Sequence, residues 1–376
     1  MSVVNRTLSL LIYLFFLLLT IFLLNKDKKN KNTKKILFFY TIILSVMAYF
    51  YTPSPGADLT RVFEMLDKYY SRLNFNDFLL WSKGSTTFFS MLYYYIFAKI
   101  GNVHLLPACT AFVFYTLIFK IFLNFVEKCD SKNKVLLFLF LMSNGFYVEV
   151  ISGIRFMLSM SIIIWCIYLE FFKDKKIISH LPLYLIASLM HPAILIVVLI
   201  RFFYLFFQSE VNKNRKILRY MLILLFIPIF MILGKTYIMS ALEKADLYLS
   251  NDIYSYFWEY IIAIIDMIYI FMILRTYRRN TKVISPIDKN YYNFVLMFFL
   301  ITFLFIGTYS IFHRFRFFVH LLVIPYFIAN LEALDNSGNT LKIKNYKINN
   351  IIIITIIYIL TFIRGNLCGL NMFGWK

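Results

Sequence analysis

Apolar residues fill the chain in long blocks separated by short polar stretches, and the blocks run 8–24, 36–52, 84–100, 105–126, 135–150, 155–172, 181–207, 217–234, 258–274, 291–310, 315–330 and 350–364. A helix needs about 20 such residues to cross a hydrocarbon core of about 30 Å. The pattern predicts an all-α fold: a polytopic integral membrane protein of about 12 hydrophobic segments, one or two of them re-entrant or broken. The longest polar stretches, 53–83, 235–257 and 331–349, are too short to bury a core of their own, so residues 1–376 read as a single membrane domain. The first block leads straight into Lys-rich sequence and a second block with no small-residue cleavage site, which reads as a retained helix.

Charge adds orientation. Across 376 residues the chain is 61% apolar with a net charge of +20, a balance that would suggest nucleic acid in a soluble protein. Here the lysines sit in short loops between apolar blocks, so positive-inside anchoring explains them and no nucleic-acid partner is expected. The run Lys26, Lys28, Lys29, Lys31, Lys34 and Lys35 places its loop in the cytoplasm and the N-terminus outside. Loops 53–83 and 235–257 then read as external and 331–349 as cytoplasmic. Strict alternation, however, puts the basic loops 127–134 and 173–176 outside and the Arg155 turn inside, against the charge bias. The conflict vanishes if one element within 84–126 and one within 181–207 fails to cross, and His191-Pro192 is a natural break point, since Pro removes a backbone donor and disfavours helix before it.

The chemistry-bearing residues interrupt apolar sequence, where an Arg costs roughly 2.5–3.5 kcal/mol at mid-bilayer and so needs water or a bound partner. Arg155 follows Gly153 at a helix start, with Ser152 and Ser159 on its face; it reads as a fork for an anionic group or as an interfacial Arg snorkelling to headgroups. His191 lies in LYLIASLMHPAILIVVLI with Ser188 three residues before it, and is a candidate base or an interhelical hydrogen bonder. His313, Arg316 and His320 fall on one helical stripe while Arg314 points elsewhere. Asp58, in a Pro/Gly loop, is a helix cap or a catalytic acid-base group. Asp266, inside IIAIIDMIYIFMIL, should pair with an Arg or His across the bundle. Glu149 precedes the Arg155 helix on the same predicted external side. Tyr69, Tyr70, Trp81 and Trp258 are candidate sugar contacts. The cysteines Cys109, Cys129, Cys166 and Cys368 show no metal-ligand or disulfide spacing, and no metal or cofactor is expected.

The order of these stretches resembles the EpsG and Wzy group of bacterial membrane polymerases for exopolysaccharide or O-antigen. Proteins of that kind commonly show a G-x-D segment in the first external loop, matched by Gly56-Ala57-Asp58. They also show a G/N-x-R helix start followed by small residues, matched by Gly153-Ile154-Arg155 with Ser159 and Ser161, and an A-x-x-x-H-x-A segment, matched by Ala187 to Ala193 around His191. A late Arg-containing helix corresponds more loosely to His313–Arg316. The chain departs at Phe156, where many relatives carry Gln, and lacks the Tyr that often follows the loop Asp. The resemblance implies a multi-pass protein of the bacterial inner membrane that joins undecaprenyl-diphosphate-linked oligosaccharide repeat units at the periplasmic face into O-antigen, capsule or exopolysaccharide. It implies catalytic roles for His191, Asp58 and His313, diphosphate binding by Arg155, Arg314 and Arg316, and supporting roles for Glu149, Asp266 and His320. Membrane lipids, a chain-length regulator and a flippase are the implied partners. Two other readings fit the same composition. A lipid-linked oligosaccharide flippase should show two internal halves with matching interruptions, which this sequence lacks. A monomeric lipid-phosphate-sugar glycosyltransferase should show paired acids in the first external loop, where Asp58 has no acidic neighbour.

Overall fold

The computed structural model describes residues 3–53, 58–126, 130–143, 146–208, 257–280, 286–306, 309–333, 340–343, 346–349 and 356. In chain order the helices are α1 (Val3–Lys26), α2 (Thr33–Tyr49), α3 (Asp58–Met65, prolonged by one π turn, Leu66–Tyr70), α4 (Phe75–Ser82), α5 (Phe88–Ile100), α6 (Leu105–Val126), α7 (Ser131–Met142), α8 (Phe146–Ser152) and α9 (Ile154–Phe172). After a 3₁₀ turn (Ile177–His180) come α10 (Leu181–Met190), α11 (Pro192–Gln208), α12 (Phe257–Asn280), α13 (Pro286–Leu304), α14 (Tyr309–Leu322) and α15 (Ile324–Ala333). A small antiparallel hairpin, β1 (Thr340–Ile343) with β2 (Tyr346–Asn349), pairs Thr340 with Asn349.

Local chemistry sets these boundaries. Asp130 caps α7 by accepting from the Asn133 amide at 2.7 Å, and Asn74 caps α4 by accepting from Asp77 at 2.8 Å. Gly101, at φ +77°, ends α5 in the left-handed conformation that glycine adopts without strain. Inside the apolar helices, hydroxyls donate to carbonyls one turn back, as Thr41 does to Leu37 at 2.9 Å and Thr302 to Phe298 at 2.8 Å, so they need no interhelical partner.

Most apolar blocks become helices, and the exceptions are informative. Among the described residues three helices are long and apolar enough to cross a membrane, Leu105–Val126, Ile154–Phe172 and Tyr260–Arg279, and a fourth span results if the pair Ile311–Leu322 and Ile324–Asn330, bent by 47°, counts as one. The expected count of about 12 is therefore not reproduced as full-length spans. Block 135–150 is not one helix but two, α7 and α8, because the polar sequence around Ser143 interrupts it. The fold is all-α as expected, and the stretch 331–349 carries the small hairpin, whose alternating Leu341, Ile343, Tyr346 and Ile348 suit paired strands. Block 217–234, loop 235–257 and all of block 350–364 except Ile356 lie outside the described residues.

Side-chain bridges fix which ends of the helices lie together. At one end, the α1–α2 turn meets the start of α7 through Lys134, and Phe125 of α6 packs edge-on against Phe172 of α9 at 5.2 Å. At the other end, Asn102 donates to the Tyr49 hydroxyl at 2.9 Å and Lys99 to the Ser71 carbonyl at 2.8 Å. So α5, about 20 Å long at about 1.5 Å per residue, is shorter than a full membrane span and ends at that second end. The pair α10–α11 turns back on itself. Tyr184 of α10 donates to Glu170 at 2.7 Å, and Arg201 of α11 grips the same carboxylate at 3.0 and 2.7 Å, leaving His191 at the tip of a helical hairpin. Both α5 and this pair lie in the stretches, 84–126 and 181–207, where the charge pattern expects an element that does not cross. With them in place, the Lys-rich turns at 26–35, 130–134 and 173–176 share the first end of the bundle.

The clasp at that first end is built on Lys134. Its ammonium is fully buried and donates to the Asp27 carbonyl at 2.6 Å, Asn30 Oδ1 at 2.6 Å and Thr33 Oγ1 at 3.3 Å, with the Asp27 carboxylate at 3.9 Å. Asn30, in the left-handed region at φ 55°, donates in turn to the Val126 carbonyl at 3.1 Å. Burial pushes the Asp27 carboxyl up, but the Thr33 hydroxyl, the Asn32 amide and the Lys134 charge outweigh it and hold it below the usual carboxylate value. Replacing Lys134 by Ala should lower stability by about 1.5–3 kcal/mol, read as a drop in the midpoint of thermal unfolding in detergent. Because the folded-state value of Asp27 is depressed, its contribution is complete above the unfolded value of about 3.9 and disappears as the pH falls through the folded value. The wild-type midpoint should therefore fall below about pH 4, and Asp27→Asn should flatten that part of the curve.

Candidate functional site

The second end of the bundle collects the chemistry-bearing residues. Its frame is the joint between α8 and α9, where the Gly153 amide donates to the Glu149 carbonyl at 2.7 Å. A Cβ on Gly153 would stand 2.8 Å from that carbonyl oxygen, which is backbone and cannot yield. Only glycine allows this approach, and it brings the Glu149 turn against the first turn of α9, which carries Arg155. The serines flanking Arg155 do not form an open polar stripe. Ser159 donates to the carbonyls of Arg155 and Phe156 at 2.6 and 2.9 Å, and Ser152 to Val148 at 2.7 Å.

From Glu149 a chain of charged and polar side chains runs into the apolar interior along one face of α14. Glu149 Oε1 lies 3.3 Å from His313 Nε2, and His313 Nδ1 lies 3.4 Å from Arg316 Nη2. Arg316 Nη1 lies 3.6 Å from Asp266 Oδ2, and Asp266 Oδ1 lies 3.0 Å from His320 Nδ1. His320 Nε2 ends the chain 2.9 Å from the Phe140 carbonyl. The stripe His313, Arg316 and His320 thus forms as its spacing predicts, and Asp266 pairs with both an Arg and a His. Aromatic rings wall the chain: Phe140 stacks on His320 at 4.1 Å and Phe317 lies 4.4 Å beneath the Arg316 guanidinium. Asp266 and His320 are fully buried and Arg316 is 1% exposed, so Arg316 is directed into the bundle, whereas Arg155 and Arg314 remain half-buried.

Phe156 gathers the remaining groups. The Arg314 guanidinium lies 5.8 Å from its ring centre, and the His191 ring meets it edge-on at 5.3 Å. Phe156 follows Arg155 directly, so three of the expected site residues adjoin the first turn of α9. His191 has an extended backbone (φ −149°, ψ 128°) at the tip of the hairpin, and its Nδ1 accepts the Ala193 amide at 3.2 Å, capping α11 behind Pro192. The fields of Arg155 and Asp58 both reach Tyr94 of α5, which places the start of α3 on the same end. Asp58 is exposed and pairs with Arg61. Burial pushes the Tyr70 phenol up and Tyr94 adds to this, while Arg155 draws it down. Of the aromatic sugar-contact candidates, Tyr69 and Trp81 are exposed, Tyr70 is buried edge-on against Trp81 at 5.2 Å, and the Trp258 side chain lies outside the described residues.

Sequence reasoning missed the connecting residues Tyr94, Phe140 and Phe156. An aromatic at a helix start in a chain with 43 Phe carries no distinguishing signal, and only the fold shows which ring stands between two basic groups. Among the described residues no group of three His, Cys, Asp or Glu side chains gathers as a metal site, and Cys109 and Cys166 are free thiols. A family model described as the EpsG family matches residues 56–372. No curated protein and no solved structure matches the chain.

Removing Asp266 strands Arg316 in a dry interior, so Asp266→Ala should cost about 3–5 kcal/mol. The double variant Asp266→Ala/Arg316→Met should recover much of that loss in thermal unfolding, since both charges are then gone. Gly153→Ala should cost about 1–3 kcal/mol by forcing the α8–α9 joint open.

Proposed function

The chain belongs to the EpsG family, and from this premise we propose that it is a glycosyltransferase that polymerises lipid-linked oligosaccharide repeat units, carried on undecaprenyl diphosphate, at the outer face of the bacterial inner membrane. One observation carries the reading: Arg155, Arg314, His191, His313, Glu149 and Asp58 all lie at the end of the bundle opposite the Lys-rich turns. By the positive-inside rule those turns face the cytoplasm, so the charged cluster and the N-terminus face outward, where repeat units await polymerisation.

The chemistry follows from charge. The acceptor hydroxyl attacks the anomeric carbon of the donor chain, the bond from that carbon to the diphosphate oxygen breaks, and negative charge grows on the leaving diphosphate. Arg155 and the half-buried Arg314, on either side of Phe156, are placed to meet that charge with forked donors, each charge-assisted bond contributing about 1.5–3 kcal/mol. Arg316, held by Asp266, orients His313 rather than binding the donor itself. A carboxylate or imidazole of the same end takes the acceptor proton. The product is O-antigen, capsule or exopolysaccharide, with a flippase supplying units and a chain-length regulator acting on the growing chain.

In cells, Arg155→Ala should slow polymerisation by about 10- to 150-fold, the range that about 1.5–3 kcal/mol corresponds to, and strip long glycan chains from a gel while single repeat units still reach the cell surface. Arg316→Ala should do the same by releasing His313. Accumulation of units on the cytoplasmic leaflet in a deletion strain, with no external glycan at all, identifies a flippase instead.

A further inference from the structure

We infer that Glu149 is the general base of this site, an assignment that rests on the polymerase reading and specifies who takes the acceptor proton. The argument is one of hydrogen-bond direction. A backbone N–H can only donate, so the Ala193 amide at 3.2 Å from His191 Nδ1 requires a bare Nδ1, and a neutral His191 then carries its proton on Nε2. That nitrogen offers a hydrogen and has no lone pair for another. A guanidinium likewise only donates, so Arg316 Nη2 at 3.4 Å from His313 Nδ1 makes that nitrogen an acceptor and places the His313 proton on Nε2, aimed at Glu149 3.3 Å away. Both histidines thus have their basic nitrogen occupied by an obligate donor.

Of the carboxylates at this end, Asp58 is tied to Arg61 on its own helix and Glu149 heads the chain. Its side chain is 28% exposed, against 11% for His313, so it stands at the mouth of the chain while Arg316, Asp266 and His320 lie inside. It also sits between the two helix starts that bring the guanidiniums: its own carbonyl is bonded to Gly153, two residues before Arg155, and its carboxylate faces His313, one residue before Arg314. In the step, the acceptor O–H gives its proton to a Glu149 oxygen as the hydroxyl oxygen bonds the anomeric carbon, and the diphosphate departs with the electron pair of the broken C–O bond. The protonated Glu149 then releases its proton to water on its exposed side. His313 is a positioning residue that holds the carboxylate through its Nε2–H.

The test uses the full-length protein reconstituted in lipid, with undecaprenyl-diphosphate-linked repeat units as both donor and acceptor. Glu149→Gln should lose at least about 100-fold in turnover, the usual contribution of a general base, with donor binding retained. Glu149→Ala should regain at least about tenfold on addition of formate, a small carboxylate that can stand in for the missing base. His191→Asn, whose side chain can still cap α11, should lose less than about tenfold. Glu149→Gln within tenfold of wild type, or a folded Glu149→Ala that formate does not revive, overturns the assignment. Glu149 would then only hold His313, or another group would take the proton. A wild-type protein that joins no units at all defeats the polymerase reading itself, and the assignment falls with it.

Discussion

The buried pairing of Arg316 with Asp266 is the interaction on which the charged end of the molecule depends. An Arg within an apolar bundle has no water to turn to, so α14 can seat only where α12 presents Asp266 at the matching depth. His320, one turn further along α14, bonds the same carboxylate and reaches the Phe140 carbonyl on α7, so three helices are locked in one register. An ion pair in this setting adds little net stability over well-packed apolar side chains, because desolvating both charges offsets most of their attraction. What it contributes is placement. With Arg316 fixed, His313 one turn earlier must face Glu149, and Arg314 must fall on the other side of α14, against Phe156.

A second constraint comes from the hairpin of α10 and α11. Glu170 accepts from both Tyr184 and Arg201, and this shared carboxylate folds α10 and α11 back on each other with His191 at the apex. The Arg201 guanidinium lies 4.3 Å from the Phe171 ring centre, an aromatic cover for a charge that the bundle would otherwise leave bare. At the Lys-rich end the Lys134 ammonium donates to the Asp27 carbonyl, Asn30 Oδ1 and Thr33 Oγ1 and so ties the α1–α2 turn to α7. The His191 turn is buried in protein and its side chain caps the helix that follows, the condition under which non-helical backbone persists at membrane depth.

Much of this was legible in the sequence, for physical reasons that also explain what was not. Helical periodicity alone put His313, Arg316 and His320 on one face, since positions three and seven apart always share a side. The cost of a lone carboxylate in IIAIIDMIYIFMIL demanded a cationic partner for Asp266, but sequence could not say which, because pairing across a bundle depends on depth and rotation together. Pro192 marked the turn between α10 and α11. No such signal marked α5 as shorter than a span, since its 13 residues, apolar but for Ser90 and Lys99, look like any other hydrophobic run. Block 135–150 misled because Ser143-Asn144-Gly145 is a short interruption in a long apolar run, and it separates two helices all the same. The directions of the histidine hydrogen bonds were beyond reach, since they depend on donors supplied by a backbone amide and by a neighbouring helical turn.

The groups at the charged end also share a position within their helices. Asp58 opens α3, Arg155 lies in the first turn of α9, His191 immediately precedes α11, and His313 and Arg314 fall in the second turn of α14. Of the helices that finish at this end, α2, α7 and α13 close on Tyr49, Met142 and Leu304 without a charge in the last turn, and α5 brings Lys99, which donates to the Ser71 carbonyl. Helix starts present unpaired N–H groups and the positive end of the backbone dipole, equivalent to about half a unit charge each. Basic side chains on helix starts therefore act in the same direction as the backbone behind them, and both favour an anion. A carboxylate among them is out of place unless it is used or paired. Asp58 is paired with Arg61 on its own helix, and Asp266 is paired below. Glu149, whose carboxylate faces the His313 imidazole at 3.3 Å, is the acid set among these helix starts, where a proton acceptor is of use to an attacking hydroxyl.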